Sequence, residues 1–279
     1  MDYKTILVDV NGGAAAAARI DVAARLAVAC RAHLIGVTQT GILRFIREAD
    51  APGVDFGGLA PLFEQLRHDA AERAARFDER VRQAGVASFE HRIGDDDAGL
   101  ALASQAIYAD LAIVSQRDPA DPDAPLDAAV PEYVALHGPC PVLVLPCAGH
   151  PDPAFERVLV AWNASPESAR AVRQALPFLA QAKEVTVAIV EREDRGRVRG
   201  PSGGPDLARF LARHGVRADV LHSSTGGDIA ERLLALAHER GAGLLVMGCY
   251  GHSRFRELLL GGVSRTVLKS MSLPVLMAH

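Results

Sequence analysis

Cysteine pairs at ligand or redox spacing are missing from this sequence. Its four cysteines, Cys30, Cys140, Cys147 and Cys249, form no C-x-x-C, and no His/Cys cluster has zinc spacing. That excludes a zinc or disulfide framework and reads as reduced thiols in a cytoplasmic protein. A strong charge of either sign is missing too. The formal net charge is −4 over 279 residues, which argues against a nucleic-acid binder held by an overall basic field. No apolar run approaches the ~18 residues of a membrane span. The opening stretch, MDYKTILVDVNGG, lacks the basic segment, apolar stretch and small-residue cleavage site of a signal peptide. G-x-S-x-G, a Ser/His/Asp set in recognisable order and metal-ligand spacing are all absent, so nothing points to a catalytic centre. What the chain does have is apolar bulk, 49% of its residues, and a length suited to about two domains.

The chain is written twice. YKTILVDVNGGAAAAARIDVAARLA (Tyr3–Ala27) matches FERVLVAWNASPESARAVRQALPFLA (Phe155–Ala180). Each has a charged lead-in, a β-type apolar run, an asparagine (Asn11, Asn163), small residues and an alanine-rich helix. A second apolar run follows in each, HLIGVTQ from His33 and EVTVAIV from Glu184. Each is followed by a polar loop, Thr38–Ala60 and Glu191–Gly204, and the second of these is expected to be mobile and to act as a lid. Ser88–Ser115 then matches Ala218–Gly248, both reading strand, turn, helix, buried strand. Each half closes on a proline-led apolar strand, PVLVLP from Pro141 and PVLMAH from Pro274, as suits the first residue of an edge strand.

Each half therefore reads β-α-β-α-β-α-β-α-β. The fold class is α/β: two repeated doubly wound domains, each a five-stranded parallel sheet with helices on both faces. The expected domains are 1–147 and 155–279, joined by CAGHPDPAF. The repeat register disfavours a single ten-stranded domain, and two blocks of five strands do not make an eight-fold barrel. Ser165 and Pro166 form an N-cap and first-turn pair. Ile229, Leu233, Leu236 and Ala237 form the apolar stripe of a helix that starts at Asp228. The three aspartates Asp95–Asp97 read as a helix N-terminus rather than a metal site.

The second half holds the densest glycine pattern, MGCYGHSRFRELLLGGVSRTVL (Met247–Leu268). Gly248 ends a strand, and Gly261 and Gly262 precede a helix. Ligands of open α/β sheets bind beyond the carboxyl ends of the strands, and helix N-termini favour anions. The pattern is neither a Walker loop nor G-x-G-x-x-G; a glycine-rich turn without ligand is the plainer alternative. Arg254 and His252 lie between the glycines and could add charge.

The spacing G-x-x-G, nine residues, then G and a small residue resembles the nucleotide-binding motif of the universal stress protein family, and the resemblance covers both halves. It implies an adenine nucleotide α-hydrolase-like fold that binds ATP, ADP or AMP, with or without Mg. It implies that the backbone at Gly248, Gly251, Gly261 and Gly262 holds phosphates and ribose, and that Asn163 and Val190 contact the adenine end. Asn163 stands where the family usually has Asp. Gly262 stands where it has Ser or Thr, and Ser264 is the expected source of that hydroxyl. In the first half, SQRDPADPDAPLDAAVPEY (Ser115–Tyr133) has no glycine. That half reads as a degenerate copy, and a ligand there would need a different pocket.

The resulting reading is a nucleotide-binding stress-response or signalling protein with one site, in the second half. The alternatives are a slow ATPase or adenylyl-transferring enzyme at the same site, and a scaffold with no ligand. Single-domain relatives resemble dimers joined at the last strand. The two halves are therefore expected to pair along Val142–Leu145 and Val275–Ala278 as an intrachain pseudo-dimer, with a further homodimer left open. Neither nucleic acid nor membrane is an expected partner.

Overall fold

The structure is a computed structural model, and it describes residues 2–12, 15–48, 56–117, 129–149, 151–193, 203–249 and 262–279. Among these, Glu191, Arg192 and Gly204 from the expected lid segment belong to regular elements, while residues 194–202 lie outside the described residues. The chain divides into two compact units, Tyr3–Cys140 and Pro141–His279.

In the first unit the strands are β1 (Thr5–Asp9), β2 (His33–Gln39), β3 (Phe89–Gly94) and β4 (Leu111–Ser115). They form the order β3-β2-β1-β4, with every pairing parallel. Ile6, Leu7 and Val8 are all fully buried. Successive strand residues point to opposite faces, so both faces of β1 are covered. The covering helices are α1 (Ala15–Cys30) and α3 (Ala60–Gln83), which pack on each other, and α4 (Ala98–Gln105) with α5 (Val130–His137). The outer strand β3 keeps Glu90, His91 and Arg92 on a partly exposed edge, where charge opposes edge-to-edge pairing. The expected loop Thr38–Ala60 is instead partly helical. Gln39 completes β2, α2 spans Ile42–Glu48, and a short 3₁₀ turn at Phe56–Leu59 leads into α3.

The second unit repeats this order. Its strands are β5 (Val142–Leu145), β6 (Arg157–Ala161), β7 (Glu184–Arg192), β8 (Asp219–Thr225), β9 (Leu244–Gly248) and β10 (Val275–Ala278). They run β5-β10-β9-β6-β7-β8. All pairings are parallel except β10 with β5, which is antiparallel with Leu276 opposite Leu143. The strand that closes the first repeat thus lies in the second unit. Both closing strands are fully apolar and buried, so each covers an edge that would otherwise template aggregation. β10 is accordingly an interior strand, between β9 and β5. Pro274 sits just ahead of it and contributes only its carbonyl, which accepts from Leu245 N at 3.0 Å.

The helices of the second unit are α6 (Pro166–Gln174), α7 (Leu176–Leu179), α8 (Gly204–Arg213), α9 (Ile229–Glu239) and α10 (Val263–Ser270). Ser165 caps α6, its Oγ accepting from Ser168 N at 3.1 Å. Asp228 caps α9 through Ala230 N at 2.6 Å, and Leu233, Leu236 and Ala237 form its buried stripe. Asp97 caps α4 by accepting from Gly99 N at 2.9 Å. The fold is therefore α/β, mostly parallel, with helices packed on the strands of each unit.

Candidate functional site

Strand order reverses between β1 and β4 in the first unit and between β6 and β9 in the second. Those are the positions where open α/β sheets form a ligand crevice. The two crevices are lined differently.

In the second unit β6 lies between β7 and β9. Asn163 follows β6, Val190 lies in β7 opposite Ser223 of β8, and Gly248 ends β9. The structure thus brings these three to the carboxyl ends of adjacent parallel strands. Asn163 is exposed, and its Oδ1 accepts from Ser165 N at 3.1 Å. It turns the chain into α6 with Ala164 at φ +57°. Its Nδ2 has no partner among the described residues, which leaves a donor facing solvent. Gly248 answers to a packing demand. A Cβ there would stand 2.5 Å from the carbonyl carbon of Glu167 and 2.8 Å from its Cβ, against the backbone N of Ser168. The first turn of α6 comes so close to the end of β9 that only glycine fits.

Gly262 is the N-cap of α10, with no side chain to cap the first turn. The N–H groups that open the helix therefore lack a capping side chain, the usual basis of an anion site. Ser264, in that first turn, is only 3% exposed. Gly251 and Gly261, with His252 and Arg254, lie outside the described residues.

In the first unit a buried ion pair spans the crevice. Arg19, on α1, is 4% exposed and Asp9, at the end of β1, 7%. Arg19 Nε donates to Asp9 O at 2.5 Å, Nη1 donates to Ser115 Oγ at 2.9 Å, and Nη2 donates to Asn11 O. Nη2 also lies 3.4 Å from Asp9 Oδ2. One guanidinium therefore ties the end of β1 to the end of β4. Asn11 is fully committed as well. Its Nδ2 donates to Asp9 Oδ1 at 2.9 Å, and its Oδ1 accepts from Gln39 N at 2.7 Å. With Asn11 set against Asn163, the positions of Asp9 and Arg19 carry Ala161 and Ala171 in the second repeat, and Ser115, the last residue of β4, answers to Gly248, the last residue of β9. Sequence reasoning missed this pair, although an aspartate inside TILVDV and an arginine inside AAAARIDVAA were the available signals.

Beside the tied crevice the first unit has a cleft of about 650 Å³ at the carboxyl ends of β1 and β2. Its walls come from α1, α3 and the loops after β2 and β3.

Among the described residues no group of three or more His, Cys, Asp or Glu is placed to hold a metal ion. No described helix is long and apolar enough to cross a membrane.

The fold and site can be set beside known proteins. Universal stress protein YxiE of Bacillus subtilis (strain 168) is 36% identical over 68 residues, which is 24% of this chain and 45% of that protein. The match thus spans under half of that relative's length. A universal stress protein structure from Archaeoglobus fulgidus DSM 4304 superposes with a TM-score of 0.75 at 17% identity, covering 98% of this chain and 95% of that one. A Pseudomonas aeruginosa PAO1 structure gives a TM-score of 0.54 at 17% identity over 99% of this chain and 92% of that one. These likenesses concern the fold. The family model described as the universal stress protein family matches residues 2–146 and again 154–279, and on that double match the chain belongs to the universal stress protein family.

Proposed function

We propose that this protein binds one adenine nucleotide, ATP or ADP, at the β6/β9 crevice of its second repeat, and acts as a ligand-responsive stress or signalling protein rather than as an enzyme with rapid turnover. The observation that carries the reading is the contrast between the two crevices. Where the first repeat places Asp9 and Arg19, the second places Ala161 and Ala171, and no ion pair occupies the equivalent positions. Around that crevice stand the donor of Asn163 and the uncapped first turn of α10 behind Gly262. A carboxamide and backbone N–H groups suit a ribose or base edge and a phosphate. The glycines at Gly251 and Gly261, read from sequence, complete the phosphate cradle in this proposal, with Val190 toward the adenine. Ser264, being buried, supports the first turn of α10, and the backbone N–H groups do the phosphate binding.

The proposed intrachain pseudo-dimer belongs to the same reading, with the antiparallel ladder of β5 and β10 standing in for the strand of a second copy. The domains proposed are 1–147 and 155–279, with a cytoplasmic location.

Mass spectrometry of the purified protein tests the proposal directly. Co-purified or added adenine nucleotide should be found at one equivalent per chain, and Gly251→Val should remove it. ADP release over time separates slow hydrolysis from simple binding. A protein that retains no nucleotide and takes up none would leave the scaffold reading in its place.

A further inference from the structure

The cleft of the first unit is lined by Val10, Ala16, Ala17 and Ile20 on one side and by Gln39 and Arg73 on the other. Its volume, about 650 Å³, falls in the range of small-molecule sites. Further arginines and carboxylates face it, and their partners decide which of them are available. Arg80 is paired with Asp21 at 2.6 Å, and Arg76 with Glu72 at 3.3 Å. Asp97 is used as the cap of α4, and Asp69 accepts from Gln65 at 2.7 Å.

Arg73 is different. Its Nη2 donates to the carbonyl of Gln39 at 3.1 Å, and it has no ion-pair partner among the described residues. Its Nε is enclosed by the protein and makes no hydrogen bond. Gln39 is only 6% exposed, and its Oε1 is likewise enclosed and unpartnered. Its neighbour across the ladder, Gly94, has no side chain, which leaves room for the carboxamide. Burial lowers the pKa of Arg73 and the charge of Arg76 acts in the same direction, against the opposing pull of Asp69 and Asp9, neither of which is in ion-pair contact with it. Two adjacent side chains, each with an enclosed polar atom whose hydrogen-bonding capacity is unmet, are rare in folded proteins and call for a partner. A modest rotation of either side chain toward the cleft would offer its orphan atom to a ligand.

We propose that the first repeat carries its own binding site, distinct from the nucleotide site, for a small organic oxyanion: a carboxylate or phosphate monoester head held by Arg73, a donor group meeting Gln39 Oε1, and an apolar body along Val10, Ala16, Ala17 and Ile20. A guanidinium offers a planar fork matched to either head. The carboxylates Asp69, Asp96 and Asp97 at the rim oppose a highly charged chain such as a triphosphate, so the head carries a single anionic group. The inference is independent of the nucleotide reading of the second repeat.

Benzoate and phenyl phosphate serve as probes, since they share an apolar body and differ in the head. Calorimetry at low ionic strength should give saturable one-to-one binding of at least one of them, and which one names the head. Arg73→Met should weaken it at least tenfold at a modest cost in thermal stability, because the change removes one hydrogen bond to the Gln39 carbonyl but also a half-buried charge that makes no direct ion pair. Ala17→Leu, which fills the apolar wall without touching the arginine, should weaken it comparably, and it carries the test if Arg73→Met does not fold. ATP binding should be unchanged in both variants. Absence of saturable binding by either probe up to about 10 mM, or equal binding in parent and variants, would overturn the proposal. So would strong destabilisation by Arg73→Met accompanied by intact probe binding in Ala17→Leu.

Discussion

Gly248 closes β9 directly against the first turn of α6, where an added Cβ would stand 2.5 Å from the carbonyl carbon of Glu167. That carbon and Ser168 N are backbone, and the third neighbour, Glu167 Cβ, is fixed to it, so none can swing aside. Gly248→Ala should therefore destabilise the second unit by about 1–3 kcal/mol, the usual cost of overpacking. Urea unfolding measures it. A variant of unchanged stability that loses nucleotide would show instead that this glycine serves the ligand.

The first repeat makes the opposite choice at the equivalent place. Ser115 keeps its side chain and accepts from Arg19 at 2.9 Å. Removing one partner of a buried pair leaves the other charge uncompensated, so Arg19→Ala should cost about 3–5 kcal/mol. The double variant Asp9→Ala, Arg19→Ala installs the residues of the second repeat and should cost clearly less than the two single changes added together. Equal costs for the double variant and the sum would mean that the pair is not coupled.

Much of the fold was legible in the sequence because the repeat copies its apolar runs. Asn11 and Asn163 fix the register, and the caps at Ser165, Asp228 and Asp97 follow from local chemistry alone. Helix α2 was not legible, since seven residues, ILRFIRE, are too few for periodicity to speak. The pair of Asp9 and Arg19 was hidden because each residue looks ordinary in its own element, and only packing brings them together. Gly248 shows the limit for the site. Spacing reveals that a close approach is needed, but a helix and a phosphate make the same demand for a missing Cβ. The asparagines show it too. One type at one register position is fully bonded in the first repeat and retains an unpaired donor in the second.

Buried groups also set the alkaline limit of the fold. Burial pushes the Cys140 thiol up to about 12 from an ordinary 9.0, and burial likewise raises Tyr3 well above 10.0. Above pH 9 the unfolded chain releases protons that the folded chain retains, so stability falls as pH rises. The thiol's contribution is complete below pH 9 and is lost as pH climbs to about 12, a change of up to about 4 kcal/mol. Urea midpoints measured from pH 8 to 11 should fall, and Cys140→Ala should flatten that fall. The same burial makes Cys140 unreactive, since the thiolate is the nucleophile. Iodoacetamide at pH 8 should label the half-buried Cys147 well before the buried Cys140. Labelling in the reverse order would contradict the assigned burial.

The two crevices together set a stoichiometry. In the first unit the Arg19 guanidinium bonds to Asp9 O, Asn11 O and Ser115 Oγ, so a phosphate or ribose there would have to break a satisfied buried network. In the second unit Ala161 and Ala171 stand where Asp9 and Arg19 do, and the helix behind Gly262 opens without a capping side chain. Titration with ATP should therefore give one site per chain. At ~100 times its dissociation constant the ligand should add roughly 2.7 kcal/mol to the stability of the parent protein, visible as a higher melting temperature. Gly251→Val should fold and show no such gain. The Asp9→Ala, Arg19→Ala double variant should keep the single site, because the loop after β4 still lacks the glycines of the second repeat. Two equivalent ATP sites in the parent chain, or a full thermal gain in Gly251→Val, would count decisively against a single site in the second repeat.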